Sequence, residues 1–200
     1  MSGSGGFMSG AATGGLLGLL LGSKQVRKMT GGALGYGGAA VVGALALKAY
    51  QNYQQNKSAT GVSPAALAAV PAEALPHALP AADGGPFQLV LIRAMVGAAK
   101  ADGHIDASEQ QRLFSEVERL GLDSEAKAFV FDLLQQPVDL NAISAAVATP
   151  EQGAEVYLAS RLAMDPDHPA ERAYLDALAS RLKLPAELRK HLEASVVSEQ

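Results

Sequence analysis

Two acidic stretches hold the residues whose types and spacing best suit chemistry. The first is Asp102-Gly103-His104-Ile105-Asp106-Ala107-Ser108-Glu109, and the second is Asp165-Pro166-Asp167-His168-Pro169-Ala170-Glu171. Oxygen-rich loops of this composition can hold a hard cation such as Ca²⁺ or Mg²⁺. An EF-hand does not fit, because Ala107 stands where its loop needs glycine and Leu113 where it needs the bidentate glutamate.

Helix capping explains the same acids without a ligand. Asp106 and Glu109 have the spacing of an N-cap and an acid at the third helical position. His168 and Glu171 repeat that spacing, and Gly103 is an ordinary helix stop. From these residues alone, cation binding and capping both stay open.

No nucleophile is paired with a base in a recognisable catalytic pattern. The sequence has no phosphate-binding glycine loop and no zinc-protease pair of histidines. With no cysteine, it has no thiolate nucleophile, disulfide or thiolate zinc site. His77 and His191 are predicted to be surface residues. His104 and His168 could be metal ligands, but a lone histidine beside acids on a turn is more often a surface residue. We therefore expect a protein that is not an enzyme, with a hydrolase acting through the Asp/His cluster as the weakest hypothesis.

Charge is divided unevenly along the 200 residues. Residues 1–80 carry a net charge of +4 and residues 81–200 a net charge of −8. An acidic folded half argues against nucleic-acid binding, which needs a clustered positive surface. The acidic face is instead a candidate surface for a protein partner.

The N-terminal segment, residues 1–53, is predicted to associate with a membrane. It contains two uncharged apolar blocks, Gly10–Gly22 with 13 residues and Gly31–Leu47 with 17 residues. Only the second reaches the roughly 17–25 residues needed to cross a bilayer, so 31–47 is the candidate span. The first block is interpreted as half of a shallow hairpin or as an interfacial helix. A soluble Gly-rich tail and a secretory signal peptide are the alternatives.

Small residues recur every four positions in both blocks. They are Gly14, Gly18 and Gly22, then Gly31, Gly35, Ala39 and Gly43. This spacing is typical of helices that approach one another closely in membranes, which predicts a homo-oligomer formed through the N-terminal segment. The basic residues before the span outnumber those after it by three to two, which slightly favours a periplasmic C-terminal part.

The rest of the chain is predicted to be a linker and a helical domain. Residues 54–86 contain five prolines and are interpreted as an extended, semi-rigid tether. The folded domain, 87–198, is predicted to be all-α, a compact bundle of about seven helices. The predicted helices cover 87–101, 107–120, 123–136, 139–148, 150–164, 169–182 and 185–197. An offset of 62 residues aligns Glu109 with Glu171 and suggests two similar helix pairs.

One motif resembles a known family. Ala98-Ala99-Lys100-Ala101-Asp102-Gly103-His104-Ile105-Asp106 followed by Glu109 is similar to the signature of tellurite-resistance TerB-like domains. The stretch 165–175 resembles the matching half in the YebE family of bacterial inner-membrane proteins. The similarity covers roughly residues 31–197.

The resemblance implies an all-helical domain at the inner membrane with a cation-binding acidic surface. Asp102, Asp106, Glu109 and Glu171 stand at the matching positions, and the cation would be Ca²⁺ or Mg²⁺. The leading hypothesis is a membrane-anchored interaction module that acts in envelope, metal or oxyanion stress. The alternative is a structural membrane protein that oligomerises through its glycine-rich helices.

Overall fold

The computed structural model describes residues 38–101, 124–164 and 169–197. Within these ranges all regular structure is helical and no strand occurs, which confirms the all-α prediction. The eight described helices are α1 (Gly38–Gln54), α2 (Pro64–Ala68), α3 (Phe87–Ala99), α4 (Ser124–Gln135), α5 (Leu140–Ala145), α6 (Pro150–Ala163), α7 (Pro169–Arg181) and α8 (Ala186–Val197). Two 3₁₀ turns, Ala72–Ala74 and Pro76–Ala78, lie between α2 and α3.

The helix starts follow the capping residues that the sequence contains. The Asp139 side chain accepts hydrogen bonds from the backbone N–H groups of Asn141 and Ala142 at the start of α5. Thr149 caps α6 through its hydroxyl oxygen, and Pro150 occupies the first turn of that helix. The predicted helix over 107–120, and with it the first half of the suggested duplication, lies outside the described residues.

Helix α6 is the centre of the fold. It packs against α1, α3, α7 and α8, and every residue from Gln152 to Ser160 is buried. Since neighbours surround the helix on all sides, its polar residues Gln152 and Glu155 are buried as completely as its apolar ones. Helix α3 is the second core helix, with Phe87, Ile92 and Met95 fully buried.

Helix α1 corrects the predicted membrane span over 31–47. Its residues Val42, Leu45, Ala46 and Ala49 are buried in the same core cluster as α6 and α8. These side chains cannot pack there and also face lipid, so residues 38–47 belong to the folded unit in this structure. None of the helices in the described ranges has the length and apolarity that crossing a bilayer requires. The predicted periplasmic orientation of the C-terminal part stays a prediction.

Residues 54–86 also differ from the predicted extended tether. Helix α2 and both 3₁₀ turns form within them, and Leu75, Pro76 and Ala81 are buried. The prolines prevent long helices, as the sequence indicates, but they do not keep the segment away from the core. The chain therefore runs from α1 through these turns into α3 as one packed structure.

Candidate functional site

A buried acid and a histidine meet where α1, the second 3₁₀ turn and α6 come together. The Glu155 side chain on α6 is fully buried, and the side chain of His77 in the turn is 12% exposed. His77 Nδ1 is in hydrogen-bond contact with Oε1 of Glu155. The other oxygen, Oε2, has no hydrogen-bond partner among the described residues. Solvent thus reaches the pair only at the His77 side chain.

Gly43 on α1 makes room for this pair. A Cβ atom on Gly43 would lie 2.8 Å from Cε1 and Nδ1 of His77 and 2.9 Å from Oε1 of Glu155. Such distances are too short for van der Waals contact, so only glycine fits here without displacement. The small residue predicted to face a partner helix therefore faces the chain's own polar pair.

Burial dominates the protonation of Glu155. It raises the pKa of the Glu155 carboxyl above its ordinary value, and the hydrogen bond and charge of His77 lower that pKa part of the way back. Burial thus favours the neutral form of the Glu155 carboxyl, which leaves no unpaired charge in the core.

Two glutamines hold the turn that carries His77. Gln152 Nε2 donates to the carbonyl oxygens of Pro76, Leu79 and Pro80 at 3.3, 3.3 and 3.0 Å. Gln88 Nε2 donates to the carbonyl oxygen of His77 itself at 2.9 Å. These bonds satisfy carbonyl groups in a proline-rich stretch that has few regular backbone partners. They fix the position of the imidazole next to Glu155.

His191, predicted to be a surface residue, is also buried. Its Nδ1 lies 2.8 Å from the carbonyl oxygen of Glu187 and its Nε2 lies 2.9 Å from that of Lys57. The Tyr53 ring packs edge-on against the imidazole, with centroids 5.9 Å apart. His191 thereby attaches the carboxyl end of α1 to α8. For both His77 and His191 the surface prediction was wrong.

A solvent-open cleft of about 510 Å³ lies beside this attachment. Its walls come from the end of α1, the junction of α5 with α6, and the junction of α7 with α8. Two cations, Arg181 and Lys183, line it together with the rings of Tyr50 and Tyr53. We call this the basic cleft.

Comparison with known proteins identifies a family and one relative, and neither description states a function. A family model described as "Protein of unknown function (DUF533)" matches residues 6–196. The chain belongs to the DUF533 family. The chain is also 31% identical, over 106 residues, to an "Uncharacterized protein in ampR 5'region" of Yersinia enterocolitica; the match covers 53% of this chain and 76% of that protein. No solved structure matches the chain. The YebE-type and TerB-like assignment stays a prediction.

The predicted cation set falls largely outside the described part of this DUF533 chain. Asp102, Asp106 and Glu109 are not among the described residues, whereas Glu171 lies in the first turn of α7. Within the described ranges, no three His, Asp or Glu residues are grouped so that they could hold a metal ion. Cation binding by the four residues stays a prediction.

One residue of the motif 98–106 in this DUF533 chain has a role that the sequence did not predict. Lys100, directly after α3, donates from Nζ to the carbonyl oxygens of Leu133, Leu134 and Gln136 at 3.3, 2.7 and 2.5 Å. These are the last carbonyls of α4, where a cation is favoured by the helix dipole. Burial lowers the pKa of Lys100 below its ordinary value. Lys100 thus joins the end of α3 to the end of α4.

Glu155 was missed as well, although a signal for it exists. The segment from Gly153 to Ala163 has apolar or small residues on nearly every face, which is the pattern that marked α3 as buried. A glutamate within such a segment has to be buried with a partner. The partner, His77, is 78 residues away in sequence, and no local pattern identifies it.

Proposed function

We propose that this DUF533 protein is a non-enzymatic helical interaction module, held at the bacterial inner membrane by the residues that precede α1. The observation that carries the proposal is the packing of α1 on α6 and α8. Because α1 is part of the core, the predicted tether 54–86 does not separate the residues before Gly38 from the folded unit. Attachment of those residues to a membrane would therefore also hold the domain there.

The position of α1 changes how the membrane would be bound. With 38–47 in the core, only seven uncharged residues of the second block remain, at 31–37. The first block has 13 residues, and a helix of that length covers about 20 Å of a hydrocarbon core that is about 30 Å thick. Its leucines are followed by Lys24, Arg27 and Lys28. Leucines beside basic residues suit attachment within the surface of an anionic membrane rather than a span.

The hydrogen bonds of the buried polar side chains favour an interaction role over catalysis. Gln152 and His191 contact backbone carbonyls of distant segments. The Tyr174 hydroxyl donates to the carbonyl oxygen of Ala94 at 2.9 Å. The Gly43 backbone lies so close to the Glu155–His77 pair that even a Cβ atom does not fit between them. These groups stabilise a scaffold. Self-association through the N-terminal segment and a role in envelope, metal or oxyanion stress stay predictions.

Fractionation of bacteria that express the full chain tests the proposal. We expect the protein in the membrane fraction in ordinary buffer and in the supernatant after an alkaline carbonate wash, which removes proteins that do not span. A Leu17→Asp, Leu20→Asp variant should move to the cytosol, whereas Lys190→Gln, an exposed change on α8, should leave the distribution unchanged. Wild-type protein in the cytosol would overturn membrane attachment, and resistance to carbonate would overturn surface attachment.

A further inference from the structure

The basic cleft has walls that are already in place. The Tyr50 and Tyr53 ring centroids are 6.4 Å apart, and Tyr53 is held against His191. Gln54 Nε2 donates to the Tyr50 hydroxyl at 2.8 Å, which fixes the second ring. Leu184 and Leu188 continue the apolar lining on the opposite side. A preformed apolar wall lowers the entropy lost when a side chain binds to it.

The charge of the cleft is opposite to that of the domain around it. Arg181 and Lys183 are among the residues that line it, and none of the lining residues is acidic. Arg181 is held in place by a 2.7 Å hydrogen bond from Nε to the side-chain oxygen of Asn141. Within the described ranges, neither cation has a carboxylate partner. Residues 81–200 carry a net charge of −8, so this cationic site is unusual for its surroundings.

Lys183 occupies a position that favours glycine. It ends α7 with a φ of 54°, and the N–H group of Leu184 donates to the carbonyl oxygen of Ala179 at 3.0 Å. This is the helix-ending geometry in which glycine is usual and in which a side chain adds strain. Backbone strain at an exposed residue that lines a cleft indicates that its side chain has a function there.

We propose that the basic cleft docks an acidic peptide segment of a partner protein, with an apolar side chain of the peptide against Tyr50 and Tyr53 and its carboxylates on Arg181 and Lys183. The proposal rests on the interaction role proposed above and names the chemistry of the partner. The cleft is open to solvent, and this shape suits a peptide, because a bound peptide needs to be covered on one side only. The opposite charges of cleft and peptide set both the orientation and the choice of partner.

Selection from a random 12-residue peptide library, displayed on phage and panned on the full chain, tests this proposal. We expect enriched peptides that combine aspartate or glutamate with an aromatic or branched aliphatic residue. Their affinity should fall about five- to tenfold with Lys183→Gly or Arg181→Gln, since each change removes a contact to a charged group. Asn56→Gly is the matched control, because Asn56 has a φ of 52° at the end of α1 and does not line the cleft.

The glycine variant separates binding from folding. Lys183→Gly should keep or raise the melting temperature, because glycine relieves the left-handed strain while the cation is lost. Peptides without acidic enrichment, or peptides that bind wild type and Lys183→Gly equally, would overturn the proposal. The proposal would also be overturned if no peptide were enriched and the two variants instead weakened binding to phosphatidylglycerol vesicles. Membrane fractionation does not depend on these variants, so failure of the proposed function and failure of this inference are distinguishable.

Discussion

His77 Nδ1 and Glu155 Oε1 are in hydrogen-bond contact directly beneath the backbone of Gly43, and this contact joins α1, the second 3₁₀ turn and α6. Three segments that the sequence assigns to a membrane span, a tether and a domain therefore share one buried polar pair. The folded unit therefore includes α1 and the residues between α1 and Phe87.

Stability should depend on pH through Glu155. Because its pKa is raised in the folded state, the folded protein keeps this proton over a range in which the unfolded chain has lost it. The free energy of unfolding should fall as pH rises from the ordinary value of 4.5 through the raised value. Relative to Glu155→Gln, the wild type should lose up to about 1.4 kcal/mol per pH unit in that window, measured by urea unfolding.

A second variant is the control for this pH dependence. His77 lowers the pKa of Glu155, so His77→Ala should extend the decline in stability to higher pH. Parallel pH profiles for the wild type and Glu155→Gln would show that Glu155 does not titrate in the core as described.

Two glycine-to-alanine changes should have opposite effects. Gly43→Ala places a Cβ atom 2.8 Å from the His77 ring and should destabilise the fold by about 1–3 kcal/mol. Gly153→Ala, in the first turn of α6, meets Leu184 and Val147 only at 3.7 and 3.8 Å. It should stabilise the helix by about 0.5–1 kcal/mol. Chemical denaturation of both variants measures the difference, and equal effects would contradict the close approach at Gly43.

The Lys100 ammonium should stabilise the end of α4. Lys100→Met removes the donor to the Leu134 and Gln136 carbonyls and should lower the free energy of unfolding by about 1–3 kcal/mol. Lys190→Met is the control, since its 2.7 Å ion pair with Glu187 is exposed and should contribute less than about 1 kcal/mol. A loss no larger than that of the control would show that Lys100 does not cap α4.

Cation binding by Asp102, Asp106, Glu109 and Glu171 predicts a ligand-dependent melting temperature. At a concentration about 100 times the dissociation constant, Ca²⁺ or Mg²⁺ should add about 2.7 kcal/mol of stability to the full chain. Asp106→Ser should remove that gain while keeping the helix capped, because serine caps about as well as aspartate. Superimposable melts in EDTA and in millimolar cation would leave capping as the role of these acids.

Local sequence signals predicted the helices well because each signal acts within a few residues. Asp139, Thr149 and Pro150 begin α5 and α6 where the sequence places them, and Pro137 follows the end of α4. The apolar pattern over 87–101 correctly identified a buried helix.

The location of α1 could not be predicted in the same way. An apolar helix rich in small residues suits a lipid environment and a protein core equally, and hydropathy does not distinguish the two. What decides is contact with distant residues, here Leu45 on α1 packing into the core with Leu192 on α8. The prolines of 54–86 likewise indicate where helices stop, and they do not indicate that Gln152 binds the turn between them.

The most direct test of α1 as part of the folded unit is proton NMR of the full chain in lipid bicelles. We expect nuclear Overhauser effects between the α-protons of Gly43 and the Hε1 proton of His77, and between the rings of Tyr53 and His191. Effects from Gly43 and Leu45 to bicelle acyl chains, without those to His77, would show that α1 lies in lipid and would restore the membrane span.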